Sequence, residues 1–361
     1  MATKRITKNT QINATSPSLS DLYTWEAPPE TEAEALVLLA ASPLLYGSYQ
    51  ALNPEWQQRF LDFCQGKKSL PLTYDPFFKR IFHPDIHPDR LSRLISSILG
   101  MSVKVLRLLP NEDSIIDGGT LLIMDLLGEL EDGSLIDVEI QKQGYAFPAE
   151  RISCYSSDLV MRQYARVKGI RGKAFTYRDI KKVYVIVFFE KSVKVFHQIP
   201  NAYFHYGKTV FNTGLDMELL QEYCLIALDV FKKFPYPKVR DEQTAWLSLL
   251  TTENLEDVKG LIPKYPWLRE IYEETVMLRQ KPEEVLGMFS EALKILDQNT
   301  VKYMIEELQK ELDEKTAMLD EKEAVIAATA KEKEAAIAAV KEKDAELVAL
   351  KKQLEHYRKS Q

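Results

Sequence analysis

Cysteine is scarce in this chain. Cys64, Cys154 and Cys224 stand far apart, with no CxxC spacing. That pattern excludes a disulfide framework and a cysteine-ligated zinc module, and it suits a reducing compartment. Long apolar runs are also missing: none approaches the roughly 20 residues of a membrane span. The opening stretch MATKRITKNTQINATSPS is basic but has no apolar segment behind it, so no signal peptide is expected. A soluble, cytoplasmic protein is therefore expected. Net positive charge is absent too, since the formal charge is -6 over 361 residues. Glycine and proline vanish entirely after Gly287.

The local balance of charge says more than the total. Between Asn111 and Glu139 there are nine Asp or Glu and no Lys or Arg. Between Lys142 and Lys194 there are twelve Lys or Arg against four Asp or Glu. An acidic segment beside a basic one suits a protein that holds a metal and lays a polyanion over it; ordinary surface charge is the competing explanation. With 45% hydrophobic residues the chain is long enough to bury a real core, as two domains or as one domain with extensions.

Five segments follow from patterning. Residues 1–18 are polar and without period, and read as disordered. Residues 19–69 form a helical N-terminal extension, in which Asn53, Pro54 and Gly66 mark the start and stop of one helix. Residues 70–235 carry an α/β pattern. HPDRLSRLISSILG places Leu91, Leu94, Ile95 and Ile98 at helical spacing before Gly100. VKVLRLL, TLLIMDLL and SLIDVEIQ read as three strands, the last two joined by a turn at Glu131–Gly133. Pro148 then opens a long helix ending near Gly169, and KKVYVIVFF reads as a buried strand. Further strand-like pieces are YFHYGKTVFNT and EYCLIALDVF. Residues 236–299 are helical. Residues 300–361 repeat in sevens: Ile305, Leu312, Leu319, Ile326, Lys333, Val340, Leu347 and Leu354 make one seam, apolar at seven of eight positions. That pattern predicts a coiled coil and a homo-oligomer, against a lone solvated helix.

The third strand poses the functional question. Alternation places Asp137, Glu139 and Gln141 on one face and Ile136, Val138 and Ile140 on the other. The hairpin can bring Asp125 close to Glu139. Two carboxylates and a carbonyl oxygen make a hard-oxygen site for Mg²⁺ or Mn²⁺. On the following helix, Arg151, Tyr155, Arg162 and Arg166 share one sector, where they can meet phosphates. Lys173 lies in KGIRGK, a basic loop with the same chemistry. A solvated helix face is the plainer reading of those arginines. No Ser-His-Asp or Cys-His arrangement stands out.

The pieces YDPFFKRIF, IMDLLGELEDGSLIDVEIQ, ERISCYSSDLV and KKVYVIVFF resemble the PD-(D/E)XK nucleases, in particular the nuclease-family transposases and recombination-promoting nucleases. The resemblance spans about residues 70–310. It implies a restriction-endonuclease-like αβββαβ core with a mixed sheet, helices following it and a C-terminal coiled coil. It also implies a metal-dependent DNA endonuclease of mobile elements or recombination, with Asp125, Glu139 and Gln141 as catalytic residues and Asp125 and Glu139 as metal ligands. The superfamily's usual lysine is Gln141 here, as is common in this subgroup, and alternation turns Lys142 to the opposite face. Asp137 either supports the ligands or is solvated. Asp75 and Lys79 match a family D..FK pattern, or simply cap a helix beside Phe77 and Phe78. A noncatalytic DNA-binding or scaffold protein on the same fold is the alternative function.

Overall fold

The computed structural model describes residues 24–109, 126–142, 148–199, 201–233 and 239–359. Residues 1–299 form one compact unit and residues 300–361 a second.

Five helices open the first unit: α1 (Glu32–Ala40), α2 (Pro43–Gln50), α3 (Pro54–Cys64), α4 (Asp75–Phe82) and α5 (Pro88–Leu99). Their ends follow the expected chemistry. Asn53 caps α3, its side-chain oxygen accepting the Trp56 N–H at 3.0 Å, with Pro54 in the first turn. Gly100 stops α5 in the left-handed region at φ 68°, where a β-carbon would be strained. Helix α5 buries the expected Leu91, Leu94, Ile95 and Ile98.

Six strands follow, in the order β1-β2-β3-β4-β6-β5 across one mixed sheet. They are β1 (Val105–Leu108), β2 (Leu126–Leu130), β3 (Leu135–Gln141), β4 (Val183–Phe189), β5 (Phe204–Lys208) and β6 (Gln221–Ala227). The first three meander antiparallel. Helix α6 (Pro148–Arg171) then crosses over, and β4 lies parallel to β3. This is the expected αβββαβ order. Strand β2 runs through LLGEL and shares Leu126 and Leu127 with the apolar run TLLIMDLL; residues 120–125 of that run lie outside the described residues. Strand β6 inserts between β4 and β5, parallel to the first and antiparallel to the second.

The β2–β3 turn shows why its sequence is acidic and glycine-bearing. Asp132 accepts the Ser134 N–H and hydroxyl, each at 2.9 Å, and Gly133 takes φ 87°. The buried Gln163 of α6 fastens this turn to the sheet: its Nε2 donates to the Gly133 carbonyl at 2.9 Å, and its Oε1 accepts the Lys181 N–H at 2.6 Å.

Strand β4 is buried along its whole length because it is covered on both faces. Val183, Val185, Val187 and Phe189 face α6, packing with its Ile152, Tyr155 and Leu159. Tyr184, Ile186 and Phe188 join the larger core on the other face. Short α7 (Lys194–His197), between β4 and β5, adds Phe196 to the core beneath α6. The larger core also takes in short α8 (Leu228–Lys232) and the helices after it: α9 (Glu242–Thr251), α10 (Leu255–Leu261), α11 (Leu268–Leu278) and the first turns of α12 (Pro282–Lys359). Phe289 of α12 sits edge-on to Trp56, Phe60 and Phe77, with ring centroids 5.1–5.9 Å apart. The segments before and after the sheet thus share its core.

An ion network ties the two helical groups. Glu274 of α11 binds Arg80 of α4 and Arg90 of α5, and lies 3.0 Å from His87 Nε2. Arg80 also donates to Glu284 at 2.6 Å. Burial pushes the Glu274 carboxyl up, but hydrogen bonding and charge from Arg90, with Arg80 and His87, outweigh it and hold the pKa below the usual range.

In the second unit, Ile305, Leu312, Leu319, Ile326, Val340, Leu347 and Leu354 are all 51–67% exposed on a helix. Among the described residues no helix is long and apolar enough to cross a membrane.

Candidate nuclease site

Strand β3 carries Asp137, Glu139 and Gln141 on one face, as alternation requires. That face is covered: Asp137 is 0%, Glu139 5% and Gln141 4% exposed. Ladder partners fix the side. Asp137 pairs with Leu127 and Val185, and Glu139 and Gln141 with Val187 and Phe189, all members of the core beneath α6. The solvated alternative for Asp137 is therefore not what the fold adopts. Asp125 lies outside the described residues, and the described β2–β3 ladder ends at Leu126↔Val138.

Gln141 is the uncharged member of the row. Its Oε1 and Nε2 are both buried and have no hydrogen-bond partner among the described residues. An amide left so costs about 1–3 kcal/mol. A strand retains such a group where something else completes it. Carboxylate and amide oxygens are the donor types that Mg²⁺ or Mn²⁺ takes, so these residues fit a divalent cation. Among the described residues, which omit Asp125, no three His, Cys, Asp or Glu side chains gather as a metal site.

Helix α6 covers the row. Tyr155 is 2% exposed, and its hydroxyl accepts a hydrogen bond from Arg151 Nη2 at 3.0 Å. Burial, then the charge of Glu139, drives the tyrosine pKa up and outweighs Arg151, so Tyr155 stays protonated. It lies close enough to the carboxylates to feel them, in the layer between helix and sheet.

The other basic candidates divide by partner. Arg162 donates to Asp158 at 2.5 Å. Arg166 binds Glu129 of β2 at 2.6 Å, and Arg107 of β1 donates to the same carboxylate at 2.9 and 3.0 Å. Lys173 is exposed, in the turn after α6. Asp75 opens α4 and pairs with Lys79 at 2.9 Å, one helical turn on.

Lys142 faces the opposite side of the sheet from Gln141. It binds Glu190, meets the Thr73 hydroxyl at 2.7 Å and sits 3.1 Å from the centre of the Tyr74 ring. Burial draws its pKa down to about 7, with Glu190 opposing the shift. Lys142 is thus committed to the larger core's face and does not stand in for the superfamily lysine.

Sequence reasoning missed one polar cluster. Ser192 donates to Asp229 at 2.8 Å and meets His197 Nε2 at 3.1 Å; the same nitrogen lies 3.2 Å from Asp229. A nucleophile triad needs the two ring nitrogens to face different partners. Here one nitrogen faces both, so the cluster ties the end of β4 to α8.

No curated protein and no solved structure matches the chain. A model of the PD-(D/E)XK nuclease family transposases matches residues 72–306, from the loop before α4 into α12. That span takes in the whole sheet, the β3 row and its covering helix, and the chain belongs to the PD-(D/E)XK nuclease family transposases.

Proposed function

We propose that this protein is a divalent-metal-dependent DNA endonuclease of mobile elements or recombination, cutting phosphodiester bonds at the β3 row. The observation that carries the reading is a buried Glu139 beside a Gln141 whose amide lacks a partner, beneath the start of a helix bearing Arg151. Membership of a nuclease family supports it. Asp125 stands one residue before Leu126, and Glu139 one residue after its partner Val138.

In this reading Asp125 and Glu139 hold Mg²⁺ or Mn²⁺, and Gln141 adds a neutral oxygen or orients a water. The cation, when bound, supplies a more acidic water and charge neutralisation at phosphate. Asp137 supports the ligands from two residues along the same face. Tyr155, kept protonated, steadies the carboxylates as a neutral neighbour. Arg151, Arg162, Arg166 and Lys173 are the proposed phosphate contacts, the first nearest the row. Asp75 and Lys79 are supporting candidates on α4. The division at 236–299 is proposed as a helical buttress to the nuclease fold.

The seam of residues 305–354 is proposed as a coiled coil joining two copies, because at least half of each apolar side chain in it is exposed. Two copies bring two single-cut sites to one duplex.

The deciding experiment is plasmid nicking by purified full-length protein with and without Mg²⁺. Wild type nicks only with metal, and Asp125→Ala and Glu139→Ala fall to background while keeping the wild-type melting temperature or exceeding it. Wild-type cutting by both variants sinks the site. Chain ending at Asn299 is expected to run as a monomer in light scattering and still nick. A full-length monomer at micromolar concentration removes the pairing.

A further inference from the structure

Helix α6 ends in a group of aromatic rings that the cleavage site does not use. Nine residues separate Tyr155 from Tyr164, which is two and a half helical turns. Tyr155 therefore faces the sheet, while Tyr164 comes out on the opposite side, about 14 Å further along the axis. The turns that follow fold back over it. Tyr164 packs edge-on against Phe175 with centroids 5.4 Å apart, and stacks with Tyr177 at 6.2 Å and an interplanar angle of 15°. Phe175 and Tyr177 complete the triangle at 5.5 Å.

Packing does not explain Tyr177, which is 79% exposed. Its position is set by the backbone instead. Asp179 accepts the Thr176 N–H at 2.8 Å, and the Thr176 carbonyl accepts the Asp179 N–H at 3.0 Å, closing a tight turn around the tyrosine. A large ring placed in solvent by a closed turn, with Tyr164 and Phe175 as its ring neighbours, offers a flat ligand a preformed surface.

The charge around it has one sign. From Tyr164 to Lys181 there are six Lys or Arg and a single acid, Asp179. Arg166 is committed to Glu129 and Arg171 to Asp179. Lys168 donates to the Tyr164 hydroxyl at 2.7 Å and lies 5.0 Å from that ring's centre. Lys173 and Arg178 flank the rings, with no ion pair to either among the described residues. Stacked rings edged by cations match a nucleic-acid strand whose bases are unpaired: each base offers a π-face to the ring and each phosphate a charge to the rim. A paired duplex offers its phosphates to the rim but keeps its base faces stacked within the helix, away from the rings.

We propose that Tyr164, Phe175 and Tyr177, with Lys168, Lys173 and Arg178, form a stacking platform for unpaired bases of the strand this protein acts on, apart from the cleavage row. The platform rests on the nucleic-acid reading of the site and deepens it: the preferred substrate carries a single-stranded segment beside the duplex.

Fluorescence anisotropy tests this with full-length protein in EDTA, so that nothing is cut. The probes are labelled oligothymidylate, oligouridylate and a blunt DNA duplex of the same length. Wild type is expected to bind the thymidylate strand. Tyr177→Ala should weaken that binding about 5- to 150-fold, the range for losing one base–ring stack, and change duplex binding less than about twofold. Tyr177→Phe keeps the ring and should bind as wild type does. Tyr177→Ala is expected to fold, because the side chain is mostly in solvent. Tighter binding of the uridylate strand through Tyr177 supports the platform and identifies RNA as its ligand. Unchanged single-strand binding by Tyr177→Ala, equal loss on strand and duplex, or no single-strand binding by wild type each overturns it. The assay needs neither metal nor cleavage, so it stands if Glu139→Ala still nicks and the cleavage site is wrong.

Discussion

Gln141 and Lys142 are neighbours in the chain and opposites in the fold. Lys142, on the larger core's face, has its charge met by Glu190, its protons by Thr73 and its underside by the Tyr74 ring. Gln141, on the α6 face, has two buried polar atoms and no partner for either among the described residues. Gln141 is 4% exposed and the Lys142 side chain 11%, so both are largely withdrawn from water. One is balanced within the protein and the other is left for something else to complete. A buried polar group with all partners supplied reads as architecture, and one without them reads as a binding site.

Six substitutions break or sharpen that contrast. The largest stability effect is expected on the balanced side. Lys142→Met leaves Glu190 the Thr73 hydroxyl but takes away its lysine partner, and should cost about 3 kcal/mol, with metal-dependent nicking per folded molecule unchanged. Urea unfolding beside a nicking assay reads both; lost nicking in a stable variant would bring Lys142 into the chemistry. Glu274→Gln should cost at most a similar amount at neutral pH, about 3 kcal/mol, because Arg90 loses its carboxylate and Arg80 is left with Glu284. The pKa of Glu274 is lower folded than unfolded, so its contribution is full above the unfolded value and is lost as pH falls through the folded one. The variant should therefore lose less stability on acidification than wild type, by melting temperature from pH 7 down to pH 3. Parallel acid profiles would show that the network adds nothing.

The unbalanced side should behave in reverse. Gln141→Leu removes an unsatisfied amide and is expected to raise stability by about 1 kcal/mol while lowering nicking. Gln141→Lys should retain part of the activity. A destabilised Gln141→Leu would show that the amide is satisfied in solution. The smallest effect is expected at Arg166, already paired with Glu129. Arg151→Ala should reduce the slope of log K against log salt for duplex DNA by about 0.9, and Arg166→Ala by less. Equal slopes would give Arg166 the same share in the phosphate contacts as Arg151.

How much of this was legible follows from what sequence periodicity records. It records which side a strand residue faces, so Asp137, Glu139 and Gln141 were grouped correctly, and Lys142 was set apart. It records burial on both faces, so KKVYVIVFF announced a central strand. It does not record what a face is covered by. The sequence leaves Asp137 either solvated or supporting, and its burial beneath α6 excludes the solvated face alone. Nor does helical spacing show that Tyr155 points inward while Arg166 reaches Glu129, 37 positions earlier in the chain. Partnerships across long separations, such as Lys142 with Glu190 or Ser192 with Asp229, carry no local pattern at all. The insertion of β6 between β4 and β5 is likewise a choice made by packing, since chain order fits other sheets as well.

Gln163 gives the covering helix a clock. The Lys181 amide proton is held by that side chain. Its exchange with deuterated solvent therefore requires α6 to rise from the sheet, or the sheet itself to open. Amides in the middle of β4 exchange only by the second route. Faster exchange at Lys181 than at Val185 would measure how often the roof over the β3 row lifts, in a protein otherwise fully folded.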